Sequence, residues 1–424
     1  MEIIVVGAGI AGLTTAISLR RSGHKVHIFE RRPIATEFGA GVSVGYSCSK
    51  VLESYGFDFK RWNVNPMTSM KVINGTTLDE MADISQRRQR PNSGYYGHRV
   101  DLQQGLLDLA TRADYTGTPA TITYNAPVAS YDPIAGSITL EDSTTHTADL
   151  IIAADGLHSL APSYIVPSPP PLRNTSTTNI RFMLPTSSIP PSSPLAPILQ
   201  PGQFTFLTHP SFKRYLASGS VRNGTLQNFG LYEHGDQALS DEKGGDDAQT
   251  RFQCDRASLQ RELGGFHDSI LALAEQTEDV LSVWRLRDRD PLPTWRKGRL
   301  VAVGDAAHPM LTSQGSGAGM CIEDAYALGE ALKGVSGYDE KVVEERLGVW
   351  ERLRWPRVTV IQLLSRPLFY ENPVEVMMDK ILEYVKKEDL PELTGIGGHR
   401  KWVDGYDILA ESRKAMGGLA VGML

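Results

Sequence analysis

Residues Ile3–Val6 form a short, wholly apolar run of the kind buried in a parallel sheet, and a glycine-rich turn follows it. From Ala11 to Arg21 the positions of Leu13, Ile17 and Leu19 follow a helical spacing, which predicts a helix stopped by Gly23. Lys25–Phe29 alternates as a second strand and ends in Glu30, so the chain opens with a βαβ unit. A glycine-dense loop at Gly39–Gly45 precedes a further expected helix beginning at Lys50–Tyr55. Tyr95–Arg99 has a strand pattern, and Asp101 is expected to cap a helix carrying Leu102, Leu106, Leu107 and Leu109. Thr121–Tyr124, Val128–Tyr131 and Ser137–Glu141 are expected to form an antiparallel meander. Asp149–Ala154 is again an apolar strand, ending at Asp155-Gly156.

Between Pro167 and Gly202 the composition shifts to proline and serine, which marks a loop-rich entry into a second region. Strand-like stretches follow at Asn179–Leu184, Gln203–Leu207, Tyr215–Val221 and Leu226–Tyr232, with a charged loop at 235–250 and a helix near 258–275. Arg299–Gly304 is once more an apolar strand, and Gly315–Leu332 passes from loop into helix, so the first region returns after an insertion. The C-terminal part is helical and charged, with Pro356 and Pro367 as expected breaks. No internal repeat is visible.

The chemistry begins at Gly7-Ala8-Gly9-Ile10-Ala11-Gly12, placed between strand and helix, with Glu30 eighteen residues after the last glycine. Gly7 permits the tight turn, Gly9 lets the backbone approach a pyrophosphate, and Gly12 allows close packing of helix on strand, while the helix N-terminus offers amide donors. Glu30 can accept from a ribose hydroxyl, and Arg31 beside it joins the cofactor-binding candidates. The motif implies a dinucleotide and leaves NAD and FAD open. The expected fold is α/β: a Rossmann-like domain made of 1–166 and 291–360, an inserted, mainly β substrate domain at 167–290, and C-terminal helices at 361–424.

Composition narrows the function. With 43 Lys+Arg against 49 Asp+Glu the net charge is −6, without long runs of one sign, which argues against a nucleic-acid partner. Cys48, Cys254 and Cys321 are scattered, with no C-x-x-C, a usage that fits a reducing compartment and supplies neither a disulfide framework nor a thiolate metal site. His24 and His27 have the spacing of a ligand pair but lack a third ligand nearby, so no metal is expected. The first strand starts almost at residue 1 without a basic or apolar leader, and no later run approaches the roughly 20 apolar residues of a membrane span. A cytoplasmic protein without stable membrane insertion is expected.

Downstream, Gly304-Asp305-Ala306-Ala307-His308-Pro309, Gly315-Ser316-Gly317-Ala318-Gly319-Met320 and Ile322-Glu323-Asp324-Ala325 resemble the second FAD motif of a known family. This family is the single-component, class A flavoprotein monooxygenases with the fold of p-hydroxybenzoate hydroxylase; the chain is most similar to the salicylate-hydroxylase-like branch. Asp149–Ser159 resembles the family's Asp-Gly motif, implicated in FAD and NAD(P)H binding. His98-Arg99-Val100-Asp101-Leu102 resembles its Arg-x-x-Leu stretch, and Gly39-Ala40-Gly41 its loop beside the flavin. The resemblance implies FAD held by Gly7, Gly9, Gly12, Glu30, Arg31, Gly41, Arg99, Asp155, Gly156, Gly304, Asp305, Gly317, Ala318, Gly319 and Met320. It also implies NAD(P)H as a transient co-substrate and O2 as oxidant, with a flavin C4a-hydroperoxide passing one oxygen atom to a small phenolic or heteroaromatic compound. Secondary metabolism or aromatic catabolism would be the setting, and a monomer or homodimer the assembly.

Two departures stand out. Where relatives carry x-Val-Arg after Asp-Gly-x-x-Ser, this chain has Leu160-Ala161-Pro162, and Thr312-Ser313-Gln314 replaces a proline-rich turn. On the substrate side, Arg181 sits where many relatives place an arginine after the Asp-Gly motif; it either holds a phenolate or carboxylate or is a surface residue of an edge strand. Tyr215 and Tyr232 are weaker pocket candidates, since an aromatic at strand spacing is usually a core residue. Pro309 is expected near flavin and substrate. His308 is read as structural rather than as a general base. Gly41-Val42-Ser43-Val44-Gly45 matches the G-x-S-x-G elbow by letter but coincides with the flavin-side loop, which argues against a hydrolase. The Arg87–Arg90 cluster is read as a solvated face. Alternative readings are an FAD-dependent epoxidase of an isoprenoid or polyketide, and a non-catalytic FAD-binding redox sensor.

Overall fold

The computed structural model describes residues 1–33, 40–84, 94–235, 251–367, 371–390 and 398–421. Gly39, the Arg87–Arg90 cluster and residues 236–250 of the charged loop lie outside the described residues.

The apolar run Ile3–Val6 lies in the strand Glu2–Val6 at the middle of a six-stranded sheet, where its residues are buried on both faces. The strand order is Arg296–Lys297, Leu300–Ala302, Leu150–Ala153, Glu2–Val6, Lys25–Phe29 and Thr121–Thr123. Every neighbouring pair is parallel except the edge pair of Arg296–Lys297 with Leu300–Ala302. Helix Ile10–Arg21 packs on both Arg99–Thr111 and Gly317–Leu332. This is an α/β fold with a parallel sheet. Arg20 is buried, and its two terminal guanidinium nitrogens donate to carbonyls at the end of Arg99–Thr111 and in the segment after it, among them Leu109 at 2.9 Å and Gly117 at 2.7 Å.

The second sheet has eight strands, in the order Arg251–Asp255, Val280–Asp288, Arg173–Pro185, Leu226–His234, Arg214–Val221, Gln203–Thr208, Ser69–Asn74 and Glu80–Asp83. Side chains alternate between its faces. Ile180, Phe182, Leu216 and Leu231 point to a core shared with Leu259, Leu263, Ile270 and Leu273 of two short helices. The opposite face carries the alternate residues and looks into a cavity. Two of the eight strands come from well before residue 167: Ser69–Asn74 pairs parallel to Gln203–Thr208 and extends the cavity face with Met70 and Val72.

Several elements differ from the sequence pattern for identifiable reasons. Thr121–Thr123 does not join the meander but pairs parallel with His27–Phe29; the meander's third strand is Thr145–Thr147. Asp101 does not cap its helix, which starts at Arg99 after His98; it lies in the first turn, where its two oxygens accept from Arg222 at 2.9 and 3.0 Å. The expected helix near 258–275 is two helices, Arg256–Glu262 and Asp268–Ala274, separated where Gly265 takes a φ of +88°. Pro356 lies inside the continuous helix Glu340–Leu364: one intrahelical bond is lost, but buried Trp350, Val358 and Ile361 hold both halves against the core. A small sheet of Gly41–Val44, Tyr95–His98 and Asn65–Pro66 completes the fold and borders the cavity.

Candidate active site

A cavity of about 1500 Å³ runs from the Gly7–Gly12 turn to the face of the eight-stranded sheet. A single small-molecule site typically occupies about 300–1,000 Å³, so this one has room for a dinucleotide and a second, smaller molecule.

One end is built largely from backbone. Gly7 has a φ of +102°, and a methyl group there would stand 2.6 Å from the Ala154 carbonyl oxygen. A methyl at Gly12 would stand 1.9 Å from the Gly7 carbonyl oxygen, whereas one at Gly9 would meet nothing within 4 Å. Helix and strand are thus as close as the chain allows, and open space lies over Gly9 at the helix N-terminus. Gly12 is not on the cavity wall; it acts through this packing. Glu30 ends the strand Lys25–Phe29. Its Oε2 accepts from Ala8 N at 2.7 Å and its Oε1 from Arg32 N at 2.9 Å, which fixes the carboxylate on the wall with lone pairs to spare. Arg31 lies beside it on the wall.

Asp155 and Gly156 follow the strand Leu150–Ala153. Tyr131 donates to Asp155 Oδ2 at 2.9 Å; burial raises the Asp155 carboxyl above its ordinary value, against Ser159, Tyr131 and Arg31, which pull it down. Asp305 is held on a 3-10 turn, Gly304–Ala306, and is exposed into the cavity. Desolvation within the protein envelope raises its carboxyl, with His308 and Arg99 opposing. Gly304 lies behind the wall with a φ of +60°, where a methyl would crowd Ala11 and Cys321 at 2.8 Å. Pro309 is also behind the wall, and its carbonyl accepts from Gln362 Nε2 at 3.0 Å. Gly317, Ala318, Gly319 and Met320 form the first turn of helix Gly317–Leu332 and line the cavity, as do Arg99 and Gly41.

The residues after this turn are structural. His308 Nε2 lies 2.6 Å from Asp324 Oδ2, Arg354 Nε donates to Asp324 Oδ1 at 2.9 Å, and Arg354 Nη1 donates to Glu323 Oε2 at 2.7 Å. Arg357 donates to both Glu323 oxygens, at 2.8 and 2.9 Å. Burial pushes both carboxyls up, but these cations outweigh it and hold them below the usual range. The network pins the helix under the Gly304–Pro309 turn. His24, the other histidine of interest, is buried between the N-terminus and the Leu332 carbonyl; burial lowers its pKa to about 4, with the terminal amine adding to the effect.

The other end is built from side chains. Register places Asn179 opposite Tyr232 and Trp284, Arg181 opposite Gly230, and Tyr215 opposite Tyr232, all on the cavity face. Arg181 Nε donates to Asn179 Oδ1 at 2.7 Å, and its guanidinium lies 5.4 Å from the Trp284 ring centroid, an aromatic rather than a carboxylate counterpart. Tyr215 is buried and stacks on Tyr232 with ring centroids 4.7 Å apart. Ala217, Gly219 and Gly230 keep the middle of the face low, and Phe204 and Phe206 continue it. Ser43 of the letter-matched elbow lies within the strand Gly41–Val44 rather than at a strand-to-helix turn. Gln103, Asn179, Asn228, Tyr96 and Trp284 also line the wall and carry no motif. Strand alternation was the one signal available for the sheet residues, and it marks core positions equally well.

The donor set fits a flavin dinucleotide: an open glycine turn at a helix N-terminus, an acceptor ending the second strand, a carboxylate at Asp305 and a second helix N-terminus beyond it. The comparisons agree. Residues 1–360 match the family model described as an FAD binding domain. The chain is 31% identical to the FAD-dependent monooxygenase cfoG of Aspergillus candidus, over 92% of this chain and 90% of that protein. It is 28% identical to hispidin-3-hydroxylase of Neonothopanus nambi, over 98% and 96%. A salicylate hydroxylase substrate complex superposes with a TM-score of 0.75 at 23% identity, covering 98% of each chain. The chain therefore belongs to the FAD-binding-domain family and is an FAD-dependent monooxygenase with the fold of the class A aromatic hydroxylases.

Proposed function

We propose that this monooxygenase is a cytosolic monomer or homodimer that takes electrons from NAD(P)H and inserts one oxygen atom of O2 into a small phenolic or heteroaromatic compound bound on the eight-stranded sheet. The observation that carries this reading is Arg181: a cation held by Asn179 and Trp284 on a largely aromatic wall, within the cavity that also contains the dinucleotide turn. Relatives named hispidin-3-hydroxylase and 3-hydroxybenzoate 6-hydroxylase support it.

When bound, the flavin would supply the redox and oxygen-activating chemistry. The chain's residues bind and orient. Gly7, Gly9, Glu30 and Arg31 take the adenosine and pyrophosphate half, and Gly12 acts through the packing of helix on strand behind them. Gly41, Arg99, Asp305 and the amides of Gly317–Met320 take the flavin half, Gly304 shapes the turn that carries Asp305, and Asp155 with Gly156 stands beside the Gly7 turn. Arg181 holds a phenolate or carboxylate and keeps the ring electron-rich, Tyr215 with Tyr232 closes the wall and excludes water, and Pro309 shapes the turn beneath Met310.

The test is anaerobic mixing of the holoenzyme with NADPH, and separately NADH, following bleaching of the flavin band with and without phenolic acids and fused heteroaromatics. Bleaching accelerated by one compound class is expected. A flavin that stays oxidised with both reductants would contradict the proposal.

A further inference from the structure

Tyr96 stands where the small sheet meets the eight-stranded one, and its ring lies against two glycines. A methyl at Gly41 would stand 1.7 Å from the Tyr96 hydroxyl, and one at Gly219 would stand 2.8 Å from the ring. Asn228, on the strand Leu226–His234, bridges the two sheets. Its Oδ1 accepts from Gly41 N at 3.1 Å, and its Nδ2 donates to the Tyr96 hydroxyl at 2.9 Å.

This amide cannot be turned around. The Gly41 backbone N–H can only donate, so Oδ1 must face it and Nδ2 must face Tyr96. The phenol oxygen therefore acts as acceptor toward Asn228, and its own proton must point elsewhere. Among the described residues the Tyr96 hydroxyl meets no acceptor for that proton, while the side chain lines the same cavity as Arg181, close enough for the two to interact electrostatically. Burial raises the phenol's pKa well above its ordinary value; Tyr232 adds to this, and Arg181 and the Asn228 hydrogen bond oppose it. The group is a neutral O–H donor at any physiological pH.

We infer that the Tyr96 hydroxyl is a second substrate-contacting donor, sharing with Arg181 one oxygen-bearing anionic group of the substrate, and that Asn228 is the positioning residue that turns its proton into the cavity. The inference rests on the proposed function for what fills the cavity. It specifies the ligand further: a ring bearing a carboxylate, phenolate or enolate oxygen that accepts from a guanidinium and a phenol together. Asn228 also ties this donor to Gly41, so the substrate contact and the flavin-side loop share one amide.

Two measurements on the holoenzyme test it. The first needs no ligand: the ultraviolet resonance Raman difference between wild type and Tyr96→Phe isolates this phenol among the 15 tyrosines. Its Fermi doublet is expected to be of the acceptor type. A donor-only doublet would overturn the inference, because the phenol oxygen would then not accept from Asn228 and its proton would not be turned into the cavity. The second is titration of the flavin absorbance with 3-hydroxybenzoate and with hispidin. Tyr96→Phe is expected to raise the Kd about tenfold or more, the loss of one hydrogen bond to a charged group. Asn228→Asp is expected to do the same, since a carboxylate accepts from both Gly41 and Tyr96 and draws the proton out of the cavity, giving a donor-type doublet. An unchanged Kd in Tyr96→Phe, with FAD content equal to wild type, would overturn it. A wild-type enzyme that responds to neither compound would contradict the proposed function instead, and the Raman arm would then decide Tyr96.

Discussion

The two ends of the cavity are built by different means. At the dinucleotide end each wall is a short contiguous segment, Gly7–Gly12, Glu30-Arg31, Asp155-Gly156 or Gly315–Met320, and the backbone does most of the work. At the substrate end Asn179, Arg181, Tyr215, Asn228, Tyr232 and Trp284 come from four strands and meet only through register. A site made of backbone needs glycine at set spacings and a strand before a helix, which constrains the whole segment. A site made of side chains on one face of a sheet constrains every second residue, and each can change without disturbing the fold.

The comparison predicts that damage at one end should spare the other. The largest effect is expected at Asp324, which holds His308, Arg354 and the Gly304 amide beneath the flavin-side turn. Asp324→Asn should cost about 3–5 kcal/mol and lower FAD content, because it removes the buried carboxylate that Arg354, His308 and the Gly304 amide share. Calorimetry and the flavin-to-protein absorbance ratio check this; an unchanged Tm would contradict the structural role of the network. Since the Asp324 and Glu323 carboxyls are held below their ordinary values, their stabilisation is full above the unfolded range near pH 4. It is lost as the pH falls through the lower folded values. Acid should therefore release FAD in wild type, and the dependence should be shallower in Asp324→Asn.

An intermediate effect is expected at Arg181. Arg181→Ala should keep wild-type FAD content while weakening binding of an anionic phenol by about 10–100-fold, and Arg181→Lys should not restore it, because Nε would be lost and with it the bond to Asn179. Loss of FAD together with ligand binding would show that the two ends are not separable. The smallest effect is expected at Asn179: removing its amide frees the Arg181 side chain, and Asn179→Ala should weaken the same titration about fivefold, in line with one ordinary hydrogen bond.

The same contrast explains what the sequence could tell. The βαβ opening is legible because Gly7 and Gly12 leave no room for a side chain and Glu30 accepts from the Ala8 amide at 2.7 Å. Arg181 was visible through its resemblance to relatives, but its choice between surface and cavity depended on register, which alternation alone does not give. Asn179, Asn228 and Tyr96 were silent for the same reason: Asn228 matters because Gly41, 187 residues away, presents an N–H to it. The alternation of Thr121–Thr123 fits either a hairpin or a sheet edge, and only its parallel pairing with His27–Phe29 decides between them. Pro356 signals a break in the sequence because the packing that carries a helix through a proline is invisible in the chain.

The most direct test of the account is a crystal structure of the holoenzyme with the compound that most accelerates flavin reduction. The account predicts the ring of that compound on the eight-stranded sheet, with one of its oxygens within hydrogen-bond reach of both Arg181 and the Tyr96 hydroxyl. A ligand seated elsewhere, or one whose oxygen atoms face away from both residues, would contradict it.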